Sequence, residues 1–481
     1  MRVLEQLEPK AVFRYFEDLT QIPRPSGNTK AVSDYCVAFA KAHGLRYIQD
    51  AVNNVIIFKP ATAGYENAPA VILQGHLDMV AVKEPDSPVD PMTQPLSLSI
   101  DGDFVYADGT SLGGDDGAAV AMALAVLASD DLPHPAIEAV FTVDEEIGMD
   151  GAAALDPAPL TARRLLNIDS EDEGILTVSC AGGVRANCEL PLSREACALS
   201  FWRVCIDGLI GGHSGVEIHR GRGNANLLLG RFLRILANAD DALRLASAAG
   251  GTMDNAITLS ATAVIGASAQ TDVAALAAAF SGALQNEFAV SDPNVRVTAV
   301  RCDAPEDALD ADSTARVLDF LSLVPNGVQA MSMDIEGLVQ TSCNLGILDV
   351  SDTHLHACSA IRSALASQKQ MVYDRVAALC ARLGGSVRPT GDYPGWAYLR
   401  QSPLREVMVR VFTEQYGREP TVEAIHAGLE CGLFADKLEG LDAVSFGPAL
   451  YDIHTTHERM SISSMQRTWE YLCQVLCQLK D

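Results

Sequence analysis

The chain has 481 residues, 48% of them hydrophobic and 20% charged, enough apolar material for more than one buried core. Its 62 Asp and Glu against 35 Lys and Arg leave a net charge of -27, a field that repels phosphate backbones and anionic lipid and argues against nucleic acid or membrane as partner. Met1 to Lys10 lacks the basic and apolar start of an export signal, no apolar run approaches the roughly 20 residues that span a bilayer, and the twelve cysteines are scattered without a CxxC pair, so a cytoplasmic protein with reduced thiols is expected.

In chain order, Val3 to His43 predicts two helices broken at Pro23 to Gly27, with Val12, Tyr15, Phe16 and Leu19 at helical spacing. Short β-branched strands at 54–58 and 70–74 follow, the second running directly into Gly75-His76-Leu77-Asp78. Polar residues just past the C-terminal end of a buried strand are where open α/β sheets build their sites. Gly113 to Gly117 then opens an alanine-rich helix, a strand at 137–143 ends in Asp144-Glu145-Glu146, and a strand at 164–168 ends in Asp169. After Ala181-Gly182-Gly183 the pattern changes to a strand at 201–207 and a helix at 223–237. A similar order recurs with strands near 331–339 and 343–351 and a helix over 353–383, which reads as two halves of an α+β insertion. Asp392 to Trp396 marks the return, followed by a helix at 403–416, a loop through His426, a strand at 443–446 and a closing helix after Ser461.

Three strand ends and one helix start thus deliver imidazole or carboxyl groups within about one hundred residues, and one convergent site is the simplest account. His76-x-Asp78 alone is weak, because His and Asp often satisfy each other at strand ends. Asp115-Asp116 lies in a glycine-flanked turn that permits close approach; adjacent carboxylates and the lack of a P-loop lysine disfavour a phosphate cradle there. Glu145 and Glu146, at one strand end, point in different directions, so one can bind metal while the other moves protons, although an acidic surface turn would look similar. Ser170 to Glu173 is assigned to solvent. Asp452 to Glu458 offers His454 and His457, of which only one need be a ligand. Two imidazoles with several carboxylates make a mixed N/O set suited to two zinc or similar divalent ions.

GHLDMV at 75–80, TSLGGDDG at 110–117, TVDEEIGM at 142–149, NIDSED at 167–172, CAGG at 180–183, GGHSGVEIHRGRGNAN at 211–226, HAGLECGLF at 426–434 and HTTHERM at 454–460 occur in one order over nearly the whole chain. In this the sequence resembles the M20 metallopeptidases, on their dipeptidase branch. The resemblance implies an α/β zinc-peptidase catalytic domain, a mixed sheet flanked by helices, formed by residues 1–181 and 393–481. An α+β lid, doubled as in that branch, would occupy 182–392. It implies two divalent ions, zinc with cobalt or manganese as alternatives: Asp115 bridging, His76 and Asp169 on one ion, Glu146 and His454 on the other. His454 is preferred to His457 because the family pattern is His-Ser/Thr-x-x-Glu and Glu458 completes it. Asp78 would orient His76, and Glu145 would be the general base that takes a proton from a bridging water and returns it to the leaving amine. A cis peptide is implied between Asp115 and Asp116; many relatives have Asn at the second position. In the lid, His213 would polarise the scissile carbonyl, Asn255 and Arg362 would bind the ends of the substrate, and His426 would either face the substrate or order its loop. The implied activity is hydrolysis of small unblocked peptides, Xaa-His dipeptides first. Rival expectations are an M20 amidohydrolase for tripeptides or N-acyl amino acids, and a non-catalytic metal-binding regulator. The doubled lid leaves the oligomeric state open, a homodimer included.

Overall fold

The computed structural model describes residues 2–480 and divides into two compact units. The described part of the first comprises 2–179, Tyr398–Ala424 and 429–480; the second comprises Cys180–Ala397 and Ile425–Gly428.

The first unit is built on an eight-stranded mixed sheet. In chain order its strands are β1 (Arg46–Gln49), β2 (Val55–Lys59), β3 (Val71–His76), β4 (Ile137–Thr142), β5 (Arg164–Asn167), β6 (Ile175–Cys180), β7 (Thr421–Ile425) and β8 (Asp442–Ser445). They lie in the order β1-β2-β4-β3-β5-β8-β6-β7. The central four, β4, β3, β5 and β8, run parallel. Each residue of β3 and β4 is buried, as parallel strands covered on both faces require. Helix α1 (Gly114–Ala128) is apolar on every side and buried along Gly117 to Leu127, which makes it a core helix. Near the C-terminus, Pro403 opens helix α2 (Pro403–Tyr416) behind the Ser402 cap, and Ser461 caps helix α3 (Ile462–Gln478) by accepting from Ser464 N. Parallel pairing has a direct consequence: the C-terminal ends of β3, β4 and β5 fall on one edge, so whatever follows them is brought together.

The second unit contains a nine-stranded sheet, antiparallel throughout. Eight of its strands form two βαββαβ halves, and the ninth, Gly327–Met331, pairs with Val339–Val350. One has strands Ser200–Asp207, Arg244–Gly250, Ala261–Ala267 and Arg296–Arg301, with helices Ala225–Ala239 and Val273–Glu287. The other has strands Gly182–Pro191, Val339–Val350, His354–Ser363 and Ser386–Tyr393, with helices Ala311–Leu323 and Ala366–Arg382. Numbered within each half, both sheets run 4-1-3-2, and they join through their second strands, where Ala248 pairs with Val350. Leu229, Phe232, Leu233 and Leu236 of the first helix pack into one core with Val317, Phe320, Val372 and Val376.

The doubling expected from sequence is therefore present, but one half is nested inside the other. Two predicted elements are corrected. Residues 332–338 connect strands Gly327–Met331 and Val339–Val350 instead of forming a strand. The helix expected over 353–383 begins only at Ala366; His354–Ser363 is a strand held between Val339–Val350 and Gly182–Pro191, so pairing on both edges overrides local preference. Glu173 is also not free in solvent: it accepts from Arg467 Nε at 2.7 Å and from Tyr416 Oη at 2.9 Å.

Candidate metal centre

His76 ends β3, Glu145 and Glu146 follow β4, Asp169 follows β5, and Asp115 sits at the start of α1. These groups meet. One oxygen of Asp115, Oδ1, lies 3.0 Å from His76 Nε2, and the other, Oδ2, lies 3.1 Å from His454 Nε2. Asp169 Oδ1 is 3.6 Å from His76 Nε2, and Glu146 Oε2 is 2.9 Å from His454 Nε2. One carboxylate thus faces two imidazoles supplied from distant parts of the chain, with one further carboxylate beside each. The peptide between Asp115 and Asp116 is cis.

The donor chemistry fits cations. His76 Nδ1 donates to the Asp78 carbonyl at 3.2 Å, with Asp78 Oδ1 at 3.5 Å, so the neutral ring carries its proton there and turns the Nε2 lone pair toward two carboxylate oxygens. Only positive charge between them, a proton or a metal ion, relieves that arrangement. Among the described residues two groups of three place one donor atom each within 4.8 Å of one another: His76, Asp115 and Glu146, and His76, Asp116 and Asp169. Asp116 is buried, and its Oδ2 accepts the His76 amide at 3.1 Å. A Cβ on Gly75 would stand 2.5 Å from that oxygen, so glycine is needed before His76.

Asp78 is fully buried and accepts from Ser26 Oγ at 2.8 Å, Glu145 N at 3.2 Å and Glu146 N at 3.4 Å. It thereby ties the β3 end to the β4 end. Burial opposes its ionisation, but His76 and these donors hold it at about 2. Burial lifts Glu145 to about 9, against the pull of His76. His454 is raised to about 10 by Asp115 and then Glu146. Below the site, Glu430 is fully buried and accepts from Gln74 Nε2 at 2.6 Å and Thr142 Oγ1 at 2.7 Å, with burial lifting its carboxyl to about 7. His457, the alternative to His454, lines a cavity of about 740 Å³ with Glu84, Asp108 and Arg459.

The chain belongs to peptidase family M20/M25/M40. Residues 72–478 match that family. Over 99% of both chains it is 38% identical to the cytosol non-specific dipeptidase of Escherichia coli strain K12. It superposes with a TM-score of 0.95 on the aminoacylhistidine dipeptidase of Vibrio alginolyticus, at 35% identity over 98% of this chain and 97% of that one. The aminopeptidase PepT of Bacillus cereus shares the fold at a TM-score of 0.57 and 17% identity, over 99% of this chain and all of the other.

The residues implied as substrate contacts all lie in the second unit. His213 pairs with Ala256 across a two-residue ladder, and the Asn255 carbonyl accepts from Ser214 N at 2.8 Å. His213 Nδ1 accepts from Gly215 N at 3.3 Å and Val216 N at 3.2 Å, which leaves the ring proton on Nε2 in the neutral form. Burial and then the Arg362 charge lower His213, and the same two causes lower His426 to about 3. His426 is buried and its Nε2 meets Ser342 Oγ at 2.7 Å. Arg362 Nη1 donates to Tyr393 Oη at 3.0 Å, while its buried Nε has no partner among the described residues. Sequence reasoning gave no role to Ser26, Gln74, Arg24 or Glu430. Only Glu430 lay in a quoted motif; a buried polar residue outside one leaves no periodic signal.

Proposed function

We propose that the chain is a metal-dependent dipeptidase for unblocked dipeptides, Xaa-His such as β-alanyl-histidine among them. The observation that carries this is Asp115, whose two oxygens face His76 and His454 at 3.0 and 3.1 Å. His76 and Asp169 would hold one divalent ion, Glu146 and His454 the other, and Asp115 both; zinc is the default for this N/O set, with cobalt or manganese also fitting. When bound, such ions supply Lewis acidity toward water and the peptide carbonyl. A Glu145 carboxylate oxygen takes a proton from the attacking water and returns it to the leaving nitrogen. Its carboxyl ionises more readily with positive charge held at Asp115 and Glu146. The Asp78 carbonyl fixes the His76 ring by accepting from Nδ1–H, and Asp78 Oδ1 holds the Glu145 backbone by accepting its amide.

In the second unit, Arg362 offers the planar fork that a peptide's terminal carboxylate takes bidentately, and His213 offers an N–H for a carbonyl oxygen. We therefore read His213, Asn255, Arg362 and His426 as substrate contacts, and residues 182–392 as the lid. The relatives named dipeptidases support the substrate length, and the E. coli relative's name supports a cytosolic setting. Among the described residues no helix is long and apolar enough to cross a membrane.

The test is a panel of β-alanyl-histidine, other dipeptides, tripeptides and N-acetyl amino acids. Turnover of free dipeptides above the rest is expected. Turnover of acetylated substrates alone would remove the dipeptidase reading, and no turnover by metal-loaded protein would favour the regulator.

A further inference from the structure

Two buried residues outside the donor set grip the turn that carries Asp115, and each comes from another part of the chain. Glu458 is 3% exposed, and its oxygens receive four backbone amides. Oε2 accepts from Leu112 at 2.7 Å and Gly113 at 2.9 Å; Oε1 accepts from Gly114 at 2.7 Å and Asp115 at 3.4 Å. These are amides at the start of α1, which the helix cannot satisfy and whose dipole favours a carboxylate. Glu458 stands four residues after His454, so the hairpin that presents the imidazole also grasps the backbone of the carboxylate it faces.

Arg24 is 1% exposed and works on the same turn through its carbonyl. Its Nη2 donates to Gly113 O, while Nη1 donates to Leu77 O and Asp78 O, both at 2.9 Å. A single guanidinium therefore joins the Asp115 turn to the turn that follows His76. The fit is tight: Gly113 has φ 69°, and a Cβ there would lie 2.5 Å from Arg24 Nη2. Burial lowers the pKa of Arg24, opposed first by Glu458 and then by Asp78, Asp116 and Asp115. A buried pair of charges is a poor source of net stability, because desolvation consumes most of the attraction. What it does supply is geometry, and here it fixes two backbone segments, Leu77–Asp78 and Leu112–Asp115, around one carboxylate.

We propose that Glu458 and Arg24 are positioning residues that clamp the Leu112–Asp115 turn from its amide and carbonyl sides, holding the Asp115 carboxylate between His76 and His454. The proposal rests on the metal reading above.

Its test is zinc affinity, measured by competition with a chromophoric chelator on metal-stripped protein, beside circular dichroism and the melting temperature of the stripped form. Glu458→Gln puts an NH2 group where an oxygen now receives two amides. Support around a metal ligand is typically worth 10–100-fold in affinity, so the zinc Kd is expected to rise about that much in folded protein. Arg24→Lys keeps the charge and gives up the fork, and it provides the same readout, with the same expected rise, where Glu458→Gln does not fold. A role in stability alone would lower the melting temperature and leave the zinc Kd of the folded variants at the wild-type value; that result overturns the clamp. Wild-type protein that binds no zinc in this assay would instead strike the metal reading and take the clamp with it.

Discussion

On the proposed mechanism, replacing Glu145 by Gln separates metal binding from proton transfer. The two side chains are nearly the same size, and the contact that places residue 145, its amide to Asp78 Oδ1 at 3.2 Å, belongs to the backbone and survives. The contacts of Asp115 with His76 and His454 do not involve this side chain. What is lost is an oxygen that can accept a proton. A positioned general base contributes about 10²–10⁴-fold, or roughly 3–5 kcal/mol at 1.36 kcal/mol per tenfold. The kcat for a free dipeptide, followed by release of the C-terminal amino acid, is therefore expected to fall at least a hundredfold. Metal content per chain by mass spectrometry is expected to stay at the wild-type value. A fall smaller than tenfold would refute the assignment, and loss of metal in step with activity would make Glu145 a ligand instead of a base.

Asp78→Asn should weaken metal binding by about 10–100-fold, since its NH2 group must face a buried donor now bonded to Oδ1 or Oδ2; a chelator titration checks this. Phe232→Ala, at a fully buried site stacked 5.6 Å from Phe280, should cost about 3–5 kcal/mol in denaturant unfolding, and a loss under 1 kcal/mol would contradict its place in the core. His134 is buried, and burial lowers its pKa below 6.5, so the unfolded chain binds its proton first. Its contribution is full above that value and is lost as pH falls below it. Between pH 7.5 and 5 the wild type should lose more melting temperature than His134→Gln; parallel curves would show that the ring does not titrate on unfolding.

The convergence of His76, Glu146 and Asp169 was legible because these residues lie at strand ends, and parallel pairing of β3, β4 and β5 puts such ends on one edge. His454 was a different case: two histidines three apart gave no choice between them, and only the resemblance selected the one that meets Asp115 and Glu146. Arg24 was unreadable, since a lone arginine between two prolines looks like a surface loop until its carbonyl partners are known. The nesting of the second unit escaped for a related reason. The first strand of its outer half, Gly182–Pro191, is separated from its helix, Ala311–Leu323, by the entire inner half, so chain order hides the repeat. His354–Ser363 was misread because one of the two strands that hold it, Gly182–Pro191, is remote in sequence.

The central claim, one carboxylate shared by two ion sites, is tested most directly by counting metal ions bound per chain in the wild type and in His454→Ala. Two in the wild type and one in the variant are predicted, because each imidazole belongs to a different ion. One ion or none in the wild type, or two held with undiminished affinity when His454 is gone, would contradict it.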